Sequence, residues 1–160
     1  MDLHEILAKL TRHPLFKEWH EKNKEYFLAH AFVMLDEPNK NTWQIGFYNP
    51  EKEKMVTFFV VDTIKKTDEQ EVLKSEGAIK PLMPEKVKLT VEEALKKAEE
   101  CFKEYKELPI KHFFIIQHTE GHNMFNITYF TQSLKTINIK IDSETGEIIK
   151  HSKQDLAQFA

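Results

Sequence analysis

Apolar positions recur at helical spacing in three stretches of the chain and alternate at strand spacing through most of the rest. From Asp2 to Leu10, Leu3, Ile6, Leu7 and Leu10 form one helical stripe, and Asp2 with Glu5 has capping-box spacing. Thr11 to Pro14 breaks that pattern, and Pro14 suits the first turn of a second helix carrying Leu15, Phe16 and Trp19 inward. Tyr26 to Leu35 is densely apolar and stops at the turn cluster Asp36-Glu37-Pro38-Asn39. Thr42 to Tyr48 predicts a strand with Trp43, Ile45 and Phe47 on one face. Asn49 to Lys52 is a hairpin loop. Met55 to Val61 is a strand with apolar residues on both faces: Met55, Phe59 and Val61 on one, Val56, Phe58 and Val60 on the other.

A polar segment follows from Asp62 to Lys88, with Glu71 to Lys74 as a short strand and Gly77, Pro81 and Pro84 marking an extended connector. Thr90 and Glu93 form a second capping box. It opens the strongest helix, with Val91, Ala94, Leu95, Ala98, Phe102 and Tyr105 on one stripe and Pro109 at its end. Strands are predicted over His112 to His118, Asn123 to Phe130 and Lys135 to Asp142, the last with Ile137, Ile139 and Ile141 inward. Thr145-Gly146 is a tight turn before the strand Glu147 to Lys150, and the tail from Gln154 reads as a short helix or a frayed end.

Four segments of the first half match four of the second in the same order. Phe16 to Trp19 matches Phe102 to Tyr105, and Asn41 to Tyr48 matches Asn123 to Phe130. Thr57 to Asp62 matches Ile137 to Asp142, and Glu71 to Lys74 matches Glu147 to Lys150. The spacing shortens only at loops, where insertions are tolerated. This predicts an α+β fold: a tandem duplication of a helix packed on a small antiparallel β-sheet. The first unit spans 1–77 with the extra N-terminal helix, a connector spans 78–88, the second unit 89–152 and a tail 153–160.

The second unit resembles the PepSY domain family. The likeness rests on Leu89-Thr-Val-Glu-Glu-Ala94 at the helix start and Ile141-Asp-Ser-Glu-Thr-Gly-Glu-Ile148 at the closing hairpin. The first unit lacks the Thr-Gly turn and joins the family through the repeat alone. The resemblance implies a non-catalytic module, with relatives in the propeptides of secreted metallopeptidases and in cell-envelope proteins.

Composition narrows the function classes. The net charge is -3, with Lys and Glu interspersed, so the basic footprint of a nucleic-acid binder is absent. The single cysteine, Cys101, excludes an intramolecular disulfide and a cysteine-built metal site. No apolar run reaches the roughly 20 residues of a membrane span, and the first residues are not of signal-peptide type. The expectation is a cytoplasmic protein.

Candidate chemistry is sparse. His118, Glu120 and His122 share one hairpin loop and are suitable ligand types for Zn or Ni, although the spacing is not that of a helical pair. Nucleophile motifs and Gly-rich phosphate loops are absent. The expectation is no catalytic residue, no cofactor and no enzyme. In the repeat alignment Val56, Phe58 and Val60 stand where the second unit has Thr136, Asn138 and Lys140, which predicts an apolar outer face shared with Val33, Leu35 and Tyr48. Such a face is either an interface or covered by the N-terminal helix or the second unit. The expected function is a non-catalytic binding or inhibitory module holding a peptide or protein on its sheet face or edge. A structural homodimer is the alternative, and a metal-dependent enzyme the third reading.

Overall fold

The computed structural model describes residues 1–72 and 78–156. Helix α1 spans Leu3–Arg12, α2 Pro14–Lys22 and α3 Val91–Lys103. The strands are β1 Phe27–Met34, β2 Trp43–Asn49, β3 Lys54–Val60, β4 Ile64–Lys66, β5 Gln70–Glu71, β6 Pro109–Thr119, β7 His122–Thr131, β8 Lys135–Asp142 and β9 Ile148–Asp155. They form one antiparallel nine-stranded sheet in the order β4-β3-β2-β1-β6-β7-β8-β9, with β5 paired to β3.

This corrects the expected duplication of small helix-covered sheets. The join is β1 against β6, in register from His30↔Gln117 to Met34↔Phe113, and the Leu35 N–H carries it on by donating to the His112 carbonyl at 3.0 Å. Both strands are central. Each would otherwise leave a long row of backbone groups unpaired at an edge.

The sheet has helices on one face. Phe16 and Trp19 of α2 lie against Phe58 of β3 at 5.4 and 5.2 Å between ring centroids. Ala94, Ala98 and Phe102 of α3 join Phe125, Ile127, Tyr129, Ile137, Ile139 and Ile141 in the same buried cluster. The helix starts explain the arrangement. Glu93 N–H donates to Thr90 Oγ1 at 3.1 Å and Thr90 N–H to Glu93 Oε1 at 3.0 Å, the expected capping box. The Asp2 carboxylate accepts from the Val91 N–H at 2.6 Å, so the start of α1 is fastened to the start of α3. His13 Nδ1 accepts from Leu15 N–H at 3.1 Å and caps α2, with Pro14 in its first turn.

The connector closes one end of the seam. Leu82 N–H donates to the Leu28 carbonyl at 2.9 Å. Its side chain is buried in the core. Met83 N–H donates to Asn123 Oδ1 at 2.9 Å. Of the expected strand Glu71 to Lys74, Glu71 ends β5 and Val72 is outside any strand, while 73–77 lie outside the described residues. Strand β9 runs on to Asp155, where a helix or frayed end was expected from Gln154; 157–160 lie outside the described residues.

Candidate functional site

The side of the sheet away from the helices carries the alternate residues of each strand. Register sets out its rows. One row reads Lys65, Phe59, Gln44, Phe32, Ile115, Asn126, Lys140 and Lys150 across β4, β3, β2, β1, β6, β7, β8 and β9. The next includes Met34, Phe113, Thr128 and Asn138. Phe113 bridges Phe32 at 5.4 Å and Phe130 at 6.0 Å between ring centroids. Phe27, Phe32, Phe59, Phe113 and Phe130 are all partly exposed, and none belongs to the core cluster. Phe32, Phe113 and Phe130 form an aromatic strip over the centre of the sheet, with Gln44 standing between Phe32 and Phe59.

His30 sits in this face above Gly46. A Cβ at position 46 would lie 2.3 Å from His30 Cε1, so the bare glycine is what lets the imidazole lie across β2. Burial holds the His30 pKa below the ordinary histidine range. The ring is therefore neutral near pH 7 and adds to the flat surface.

The residues expected to form an apolar outer face are placed differently. Val33, Val56, Phe58 and Val60 lie under the helices, each at most 1% exposed. Leu35 is partly buried against the same core. Tyr48 is on the opposite, open side, where its ring meets Phe27 edge-on at 5.7 Å. The expected outer set is corrected: four of its members are core, and the open apolar residues of β3 are Met55 and Phe59. Val33, Leu35 and Val60 do line a cleft of about 820 Å³ between α1 and α3, with Trp43 and Phe114.

The hairpin histidines are separated. Glu120 and Gly121 have φ of 53° and 79°, a two-residue turn with both centres left-handed. His118 Nδ1 pairs with the Pro81 carbonyl at 3.0 Å on the connector side. His122 Nδ1 donates to Asp142 Oδ2 at 2.8 Å. Glu120 takes Lys140 Nζ at 3.1 Å. Strand alternation sends His118 and His122 to opposite faces, and no group of three potential ligands is assembled among the described residues.

No family model matches the chain, and no curated protein matches it. The fold is similar to the crystal structure of a putative lipoprotein from Clostridium difficile 630, with a TM-score of 0.56 and 15% identity, covering 88% of this chain and 90% of that one. At that identity the likeness concerns the fold alone. No described helix is long and apolar enough to cross a membrane.

Proposed function

We propose that the protein is a non-catalytic binding module that holds a protein segment on the open face of its sheet. The observation that carries this reading is the strip of partly exposed phenylalanines standing outside the core cluster. Partly exposed aromatic rings on a sheet face that no helix covers are a candidate interaction surface. The resemblance of Leu89 to Lys150 to the PepSY family supports the same non-catalytic reading.

The rim selects the partner. Lys65 and Lys150 end the central row, and Lys140 lies inside it, already held by Glu120. Lys111, opposite Phe130, adds a further cation on this side. The fitting segment has apolar residues at its centre and acidic residues at its ends. A second copy presenting the same face would set lysine against lysine, so the homodimer is the weaker reading.

Peptides selected from a random displayed library should carry an apolar centre with acidic flanks. Their affinity should fall with added salt. Phe32→Ser combined with Phe113→Ser should abolish capture while circular dichroism stays native. Selected peptides that bind the double variant as well as the parent would overturn the proposal. Sedimentation should give a monomer at micromolar concentration.

A further inference from the structure

On the helix-bearing side a second pocket, of about 530 Å³, opens between α3 and the start of β6. Its inner wall is a stack of three rings. His112 lies parallel to Tyr129, with centroids 5.0 Å apart and 2° between planes, and Phe102 stacks on Tyr129 at 4.3 Å. Leu95 and Pro109 supply aliphatic sides.

Tyr129 is the informative member. Its side chain is deeply buried, at 5% exposure. No protein partner is found for its hydroxyl among the described residues, yet no sealed side-chain polar atom is left without one. The hydroxyl is therefore the part of Tyr129 that still opens, into the pocket it lines. Open to the pocket, the hydroxyl is free to bond to water or to a ligand there. Burial, with Glu99 and Cys101 adding to it, pushes the Tyr129 pKa up to about 12, so the group is a neutral hydroxyl at physiological pH.

The carboxylates at the rim differ. Glu107 is occupied: Ser133 Oγ donates to it at 2.6 Å and Lys153 lies 4.0 Å away. Among the described residues the ion pair of Glu99 is with Lys103, one helical turn on at 3.8 Å, and both side chains are mostly exposed. Such a pair is weak and readily exchanged for a better cation.

We propose that this pocket binds a small aromatic amine. The aromatic body lies against Leu95, Pro109 and His112, and the ammonium group donates to the Glu99 carboxylate and the Tyr129 hydroxyl oxygen. The volume suits a ligand of that size, and few polar groups in an apolar wall are what orients one. This site is separate from the open sheet face, so either reading can fail without the other.

Tryptamine is the probe, titrated into the full chain by calorimetry, with the His112 imidazole followed by NMR. One saturable site with Kd below about 1 mM is expected, with shifts at His112. Tyr129→Phe keeps the ring stack and removes only the hydroxyl; it and Glu99→Gln should each weaken binding by about fivefold or more. 3-Ethylindole, which lacks the ammonium, should bind about tenfold more weakly. The proposal is overturned by absence of saturation at several millimolar, by affinity indifferent to both substitutions, or by equal affinity for the neutral analogue.

Discussion

Phe58→Asp is expected to unfold the protein, whereas Phe59→Asp, one residue along the same strand, is expected to leave it folded. Phe58 is fully buried and meets the rings of Phe16, Trp19 and Phe47 at 5.4, 5.2 and 5.7 Å. Truncating such a ring alone costs about 3–5 kcal/mol. A carboxylate in its place adds several kcal/mol more, because it would be taken out of water among those rings. That sum rivals the roughly 5–15 kcal/mol that holds a typical domain folded. Phe59 lies on the open side, partly exposed and outside the core cluster. Its replacement should cost about 1 kcal/mol or less, as substitutions away from packed cores do. Urea denaturation of the two variants decides between the faces. Native stability in Phe58→Asp with collapse in Phe59→Asp would mean that β3 is turned over.

This pair also isolates where the sequence was readable and where it was not. Helices with a cap and a stripe were legible: Thr90 with Glu93 and Pro14 at a first turn carry their signals locally. The strand Lys135–Asp142 was legible because Ile137, Ile139 and Ile141 alternate with polar residues. Strand β3 has no such alternation, so its facing was inferred by aligning Thr57 to Asp62 with Ile137 to Asp142. In the folded protein Val56, Phe58 and Val60 share the core side with Ile137, Ile139 and Ile141. The alignment was one residue out of step, and a slip of one residue exchanges every side chain between the two faces.

The single sheet was missed for a different reason. Nothing in a local pattern states that β1 pairs with β6 across almost the whole intervening first half. The clue lies in burial: both Phe27–Met34 and Pro109–Thr119 hold apolar residues on both faces, as strands in the middle of a sheet do. The aromatic strip follows from the same fact. Phe32 and Phe113 meet only because Val33↔Phe114 and its neighbours are in register. The pocket at Tyr129 is equally non-local, joining α3, the start of β6 and the end of β7. Spacing along the chain cannot bring those three together; the sheet order can.

The second large effect is expected at Asp142, where the last turn of β8 is held by one carboxylate. Oδ1 accepts from the N–H groups of Glu144 and Thr145 at 2.9 and 2.8 Å, and Oδ2 accepts from His122 Nδ1 at 2.8 Å. Gly146 then completes the turn at φ 79°, its N–H donating to the Asp142 carbonyl at 2.9 Å. Burial alone would raise the Asp142 pKa, but these hydrogen bonds, from Thr145 foremost and then His122 and Glu144, outweigh it and bring it down to about 2 from 3.8. A depressed folded pKa means that the unfolded chain takes up the proton first as pH falls. The contribution is therefore complete above about pH 5. It diminishes as pH drops toward the folded value of about 2. A shift of this size corresponds to at most about 2 kcal/mol, less by whatever solvent screens the carboxylate. Asp142→Ala should lose about that much at pH 7, with all three hydrogen bonds removed. Asp142→Asn is the sharper experiment. Its amide oxygen can still accept from Glu144 and Thr145, while His122 loses its acceptor and no proton is left to titrate. The variant should lose about 1 kcal/mol at pH 7. Its stability should also fall less steeply than the parent's between pH 4 and pH 2, in urea denaturation followed as a function of pH. Parallel acid limbs in parent and Asp142→Asn would assign the low-pH loss to other carboxylates.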